Sequence, residues 1–256
     1  MEVKDRIIVA LDVDSLERAR PLVESLAPHV GCFKVGLEIL TAVGAPQVVE
    51  FVHSLGGQVF YDGKFCDIPN TMAGAAKAVS KMGVGMFNVH ASAGIEAMIA
   101  AREAARSVGA EDEGWADTRP NIVPGSTLIL AVTVLTSLEE NNAHLIFGAP
   151  SKAKVLQFAR DAMTAGLDGI ICSPQELEIL GKQPELADLV KITPGVRPAW
   201  AAVGDQKRVM TPGEAIKAGA TALVIGRPII KPPEEIGGPV KAVELIAQEI
   251  SEAATS

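Results

Sequence analysis

The sequence predicts an α/β protein, a single (β/α)8 (TIM) barrel over residues 1–256, from three observations. Short β-branched apolar runs recur eight times, and each is followed by a longer Ala-, Leu- and Glu-rich stretch of helical pattern. The runs are apolar nearly throughout rather than alternating, as strands are when a parallel sheet is covered by helices. Eight βα units in about 250 residues is the usual size of such a barrel. A doubly wound open sheet is the alternative, but it often opens on a glycine-rich dinucleotide turn. Here the first run ends Leu11-Asp12-Val13-Asp14, with no glycine.

In order, the runs are RIIVALD (6–12), CFKVGLE (32–38), QVFYDGK (58–64), MFNVHAS (86–92), TLILAVTVLT (127–136), GIICS (169–173), VKITPGV (190–196) and ALVIGR (222–227). Helix starts are predicted at Ser15 before LERARPLVESLA, at Thr41 before a stretch ending at Gly56-Gly57, and at Asn70 before TMAGAAKAVSKMG. Residues 109–125 are acidic and rich in turn formers, which predicts a surface excursion between the fourth helix and the fifth strand. The stretch 137–166 is too long for one helix and contains Gly148 and Pro150, which predicts two. Neither addition suggests a separate domain.

Composition narrows the function. Lys and Arg number 23 against 31 Asp and Glu, a formal charge of −8, and aromatics are 4% of the chain. Both argue against a nucleic-acid binder, which needs dense cations for phosphates and aromatic platforms for bases. The start, MEVKDRIIVALDVD, puts acids where a signal peptide would be apolar, and no run is long enough to span a bilayer. Cys32, Cys66 and Cys172 are an odd count without paired-ligand spacing, which fits reduced thiols in a cytoplasm, with Cys32 and Cys172 as core residues. His29, His53 and His144 have no ligand spacing and read as surface or capping residues. No G-x-S-x-G nucleophile elbow occurs.

In such a barrel the chemistry lies beyond the carboxyl ends of the strands. Those ends are crowded with charge. The first run ends in Asp12, the second contains Lys34, the third runs into Asp62 and Lys64 with Asp67 following, and the eighth closes on Gly226-Arg227. A period of two puts Phe60, Asp62 and Lys64 on one side, pointing inward. Asp62 and Lys64 alone suit a structural ion-pair network as well as a catalytic site. Lys34, central in an apolar strand beside the one bearing Asp62, shifts the balance toward a site. Arg227 after Gly226 suits a phosphate position, since glycine admits the anion and arginine grips it with two parallel bonds. The long segment PGVRPAWAAVGDQKRVMTP, with Arg197, Gln206, Lys207 and Arg208, reads as a lid over that position. His90 ends the fourth run and reads as a hydrogen-bonded structural group rather than a catalytic one.

Asp62-Gly63-Lys64-Phe65-Cys66-Asp67-Ile68-Pro69-Asn70-Thr71 resembles the D-x-K-x-x-D-I-x-x-T signature of the orotidine 5'-phosphate decarboxylase family. Supporting motifs stand in the same order: Leu11-Asp12, Lys34-Val35-Gly36, Asn88-Val89-His90-Ala91, Leu135-Thr136-Ser137, Thr193-Pro194-Gly195-Val196-Arg197, Asp205-Gln206-Lys207-Arg208 and Gly226-Arg227. The resemblance runs from Arg6 to Pro228.

It implies a carboxy-lyase that makes uridine 5'-phosphate in the last step of pyrimidine biosynthesis, with no cofactor and no metal. By the same resemblance Lys34, Asp62, Lys64 and Asp67 form a charged tetrad, in which Lys64 protonates carbon 6 and Asp62 sits beside the departing carboxylate. Asp67, Ile68 and Thr71 reach the site of a neighbouring subunit, implying a homodimer. Asp12 and Lys34 meet the ribose, Thr136 the pyrimidine edge, and Arg197, Gln206, Gly226 and Arg227 the phosphate. Magnesium-dependent sugar-phosphate lyases of the same superfamily share D-x-K-x-x-D, but they carry a glutamate on the second strand where this chain has Lys34. An ammonium repels a hard cation that needs carboxylate oxygens, so the metal-independent reading is preferred. A barrel that only senses uridine 5'-phosphate is the other rival, and retention of all four tetrad residues argues against it.

Overall fold

Each predicted run forms a strand, and the eight strands pair in sequence order, all parallel, with β8 returning to β1 to close a barrel. The strands are β1 Ile7–Ala10, β2 Cys32–Gly36, β3 Val59–Phe65, β4 Met86–His90, β5 Leu128–Val132, β6 Gly169–Ile171, β7 Val190–Pro194 and β8 Ala222–Ile225. The structure, a computed structural model, describes residues 1–109, 127–201 and 210–254. The excursion predicted at 109–125 lies almost wholly outside the described residues, as does Gln206.

The helices are α1 Leu16–Leu26, α2 Leu37–Val43, α3 Ala45–Ser54, α4 Pro69–Lys81, α5 Ile95–Gly109, α6 Glu140–Phe147, α7 Ser151–Thr164, α8 Leu177–Gly181, α9 Pro212–Lys217, α10 Arg227–Ile230 and α11 Pro239–Ala254. Ser15 caps α1 as predicted, its hydroxyl accepting from the Arg18 amide. The stretch 137–166 does split into α6 and α7. Gly148 ends α6 in the left-handed conformation, and Pro150 stands at the entry to α7.

Two predicted starts shift. Thr41 caps nothing: α2 begins directly at the end of β2, and Gly44 at φ 103° breaks the helical run before Ala45 and Pro46 open α3. Asn70 lies inside α4, which begins at Pro69, where the fixed φ of proline suits the first helical turn.

Burial divides the core into two layers. A small inner cluster fills the barrel: Ile8, Ala10, Cys32, Phe60, Met86, Leu128, Leu130, Ile192, Ala222 and Val224. The larger outer cluster lies between strands and helices, and includes Ile7, Val9, Phe33, Val59, Phe87 and Val89. Adjacent strand residues thus go to opposite layers, so inward residues can be read two at a time toward the carboxyl ends. No helix among the described residues is long and apolar enough to cross a membrane.

Candidate active site

Followed outward, the inner face changes from apolar to charged or polar within one step of the strand period. Cys32 gives way to Lys34, Phe60 to Asp62 and Met86 to Asn88, while Ala10 is followed two residues on by Asp12. The registers pair Ala10 with Lys34 and Gly36 with Asp62, which brings these side chains to one level at the mouth.

Asp62 is the hub. Its Oδ2 lies 3.1 Å from Lys34 Nζ, and its Oδ1 accepts from Lys64 Nζ at 2.6 Å and from Asn88 Nδ2 at 2.6 Å. Lys34 Nζ also donates to Asp12 Oδ1 at 3.4 Å. Burial would raise the Asp62 carboxyl, but the charges of Lys34 and Lys64 and the bonds from Lys64 and Asn88 hold it below the ordinary carboxylate range. Burial would likewise lower Lys34. Asp62 and Asp12 outweigh it, so its pKa is raised and it stays an ammonium.

The period of two does not by itself carry Lys64 to this cluster. Between Tyr61 and Phe65 the register against β4 shifts, and Lys64 adopts φ 50°, the positive-φ value found at no other non-glycine among the described residues. That conformation is costly for a side-chain-bearing residue and persists only where its surroundings impose it. Here Asn88 does so, its Oδ1 accepting from the Lys64 amide at 2.7 Å while its Nδ2 holds Asp62. Gly63 is required as well, since a Cβ there would drive into the Tyr61 ring.

Asn88 carries no predicted role in the Asn88-Val89-His90-Ala91 motif, yet it is fully buried and organises the site. An amide amid the apolar strand MFNVH is the signal that marks it.

The other predicted residues are placed differently. Asp67, Ile68 and Thr71 are exposed, and Asp67 Oδ1 accepts from the Ile68 amide at 2.7 Å. No ion pair joins Asp67 to the cluster among the described residues. Thr136 is exposed beyond β5, and it lines a cavity of about 750 Å³ with Ser173, Glu176 and Gly195. That cavity lies over the ends of β5 to β7, and Lys34, Asp62 and Lys64 do not line it.

Arg197 is buried, and its amide donates to the Met210 carbonyl at 3.0 Å, closing the base of the segment that contains Gln206. Gly226 abuts β1, where a Cβ would stand 3.3 Å from both Ala10 Cβ and Asp12 Oδ2. Arg227 is exposed at the start of α10. The His90 ring makes no hydrogen bond to a described residue, contrary to its reading as a hydrogen-bonded structural group. Cys32 and Cys172 are buried as expected, and burial pushes the Cys172 thiol up to about 12.

The donor set suits mutual charge pairing rather than a cation. Both Asp62 oxygens are taken by cationic or amide N–H donors, and among the described residues no three His, Cys, Asp or Glu side chains group as a metal site.

Comparison with known proteins agrees with this geometry. A curated orotidine 5'-phosphate decarboxylase of Moorella thermoacetica is 47% identical over 252 residues, covering 98% of this chain and 94% of its own. One of Heliobacterium modesticaldum is 43% identical, covering 98% and 99%. The crystal structure of orotidine 5'-phosphate decarboxylase from Lactobacillus acidophilus superimposes with a TM-score of 0.77 at 32% identity, covering 95% of this chain and 98% of that one. The family model described as "Orotidine 5'-phosphate decarboxylase / HUMPS family" matches residues 5–243, and the chain belongs to that family.

Proposed function

We propose that residues 1–256 act as one catalytic domain that converts orotidine 5'-phosphate to uridine 5'-phosphate and carbon dioxide, the closing step of pyrimidine biosynthesis, in the cytoplasm and without metal or organic cofactor. The carrying observation is the sequence of alternating charges Lys34, Asp62, Lys64 at the barrel mouth, with Asp62 held ionised between two ammoniums. The family description joins two names, whereas the curated relatives just described bear the decarboxylase name alone. Lys34 favours that reading over a magnesium-dependent sugar-phosphate lyase, because it fills with positive charge the place a metal-binding carboxylate would take.

The chemistry follows from electrostatics. Losing carbon dioxide from carbon 6 leaves an electron pair in the ring plane, where the ring cannot delocalise it. Asp62, facing the substrate carboxylate, would repel it by about 4 kcal/mol at 4 Å and an effective dielectric near 20. The repulsion ends as neutral carbon dioxide departs, while the attraction of Lys64 for the growing carbanion increases. Both effects favour the transition state over the bound substrate. Lys64 then gives its proton to carbon 6. Asp12 and Lys34 hold the ribose, Thr136 the pyrimidine edge, and Arg197, Gln206, Gly226 and Arg227 the phosphate.

The exposure of Asp67, Ile68 and Thr71 supports a homodimer in which these residues complete the partner's site. Mixing Lys64→Ala with Asp67→Ala subunits should restore activity through hybrid dimers, and no recovery after confirmed subunit exchange would sink the shared site. The function itself is tested by following orotidine 5'-phosphate absorbance with pure protein in excess chelator. Turnover is expected there; activity that vanishes with chelator and returns with magnesium would overturn the metal-independent reading. In Lys64→Ala, kcat should fall at least about 10³-fold with binding retained.

A further inference from the structure

The strand that carries Asn88 continues to His90, an imidazole the mechanism above leaves unused. Along β4, Met86 and Asn88 face the barrel interior and Phe87 and Val89 pack outward, so His90 follows Asn88 onto the inner face, one step nearer the mouth. The ring is half-buried, and with no hydrogen bond to a described residue both nitrogens keep their bonding capacity. Lys64 has capacity of its own: its ammonium spends one donor on Asp62 and makes no other side-chain bond among the described residues.

The ionisable groups that act on His90 come from β3 and are Lys64 and Asp62. On its other side β5 pairs Val132 with His90 and is aliphatic from Leu128 to Val132. The turn that follows, Ala91–Ala93, brings only Ser92. Lys77 and Lys81 of α4 and Glu96 of α5 are exposed.

We propose that His90 is a positioning residue for Lys64. In the loaded site the neutral imidazole accepts a hydrogen bond from the Lys64 ammonium, and its protonation sets a second cation there that pushes Lys64 away from the reacting carbon. This rests on the decarboxylase reading above. Burial and the charge of Lys64 hold His90 below the ordinary histidine range, against an opposing pull from Asp62, so at neutral pH the ring is uncharged. Turnover should therefore fall as pH drops through the His90 pKa.

The test compares kcat against pH for the parent enzyme and His90→Asn, together with the ring NMR signals of the four histidines, one of which His90→Asn removes. At neutral pH the variant should lose about tenfold in kcat, the size of one modest hydrogen bond, with KM little changed. Its acid limb should flatten to what the substrate phosphate alone produces, since that phosphate titrates at about pH 6 in both proteins. In Lys64→Ala, the His90 ring should titrate at higher pH than in the parent, because a neighbouring cation is gone.

Parallel kcat profiles in the two proteins, or a loss confined to KM, would overturn the proposal. An unchanged His90 titration in Lys64→Ala would do the same, and that arm needs no folded His90 variant. Failure of the parent enzyme to turn over orotidine 5'-phosphate at any pH would sink the decarboxylase reading and the catalytic part of this one, while the ring titration would still report the coupling on its own.

Discussion

The mouth of the barrel has two unlike halves. Over β1 to β4 the inward positions carry Asp12, Lys34, Asp62 and Asn88, joined by ion pairs and hydrogen bonds of 2.6 to 3.4 Å. Over β5, β7 and β8 the corresponding positions are Val132, Pro194 and Gly226, and polar groups come from beyond the strands, at Thr136 and Arg227 and around the cavity. The first half is set by strand register. Such groups need no reorganisation when charge develops, but they must satisfy one another because they are partly dry. Residues of the second half are carried by loops and short helices, where solvation makes an exposed charge cheap. Stability and binding should therefore separate across the mouth.

The largest expected effect is in the charged half. Asp62→Ala removes the buried carboxylate and leaves two partly buried ammoniums facing each other, and breaking a buried pair in this way costs about 3–5 kcal/mol. Urea denaturation at pH 7 measures it, and a loss under about 1 kcal/mol would show that the cluster is not holding its strands. The pH dependence has a definite sign. Asp62 is depressed in the fold, so its contribution is present above the ordinary carboxylate value and disappears as pH falls through its folded pKa. Lys34 is raised, so its contribution is present below the ordinary lysine value and disappears as pH rises through its folded pKa. Next in size is Asn88→Ala, which strands the Lys64 amide and removes a donor from Asp62. A cost of about 2–3 kcal/mol is expected on the same urea scale, together with lost turnover as Lys64 leaves its strained backbone conformation.

The cavity half contains one exception that sharpens the contrast. Burial pushes the Glu176 carboxyl up to about 7, against a hydrogen bond from the Ser173 amide that lowers it. Its folded pKa lies above the unfolded value, so stability declines as pH rises from about 4.5 to 7. Glu176→Gln keeps an acceptor for Ser173 without the charge. It should gain about 1–3 kcal/mol above pH 7 once residual exposure is discounted, and nothing below about pH 4.5. A gain that does not change with pH would show that charge burial is not its cause.

The same division decides what is legible in the sequence. Strands were legible because inner and outer faces are both buried, which leaves eight uninterrupted apolar runs. The approach of Lys34 to Asp62 was legible too, as it depends only on neighbouring strands and a common register. Lys64 reaches the same place by a bulge, an outcome that periodicity named correctly for the wrong geometric reason. Asn88 and Glu176 were missed because their importance lies in burial and in partners on other segments. Thr41 and Asn70 do not start helices, because Gly36 and Pro69 offer the backbone an earlier entry.

The smallest expected effect belongs to Arg227, and it tests the separation most directly. Its side chain is exposed at the edge of the mouth, where solvent screens its charge. Arg227→Gln should shift stability by no more than about 0.5 kcal/mol, as exposed substitutions usually do. If the guanidinium holds the substrate phosphate, the same change should raise KM for orotidine 5'-phosphate strongly, while orotidine lacking the phosphate is processed as poorly by the variant as by the parent. Removing the phosphate from the substrate and the cation from the enzyme then act on one interaction, so the two losses should not add. Additive losses would place the phosphate elsewhere. A stability cost comparable to that of Asp62→Ala would erase the distinction between a strand-built half that supports the fold and a loop-built half that grips the ligand.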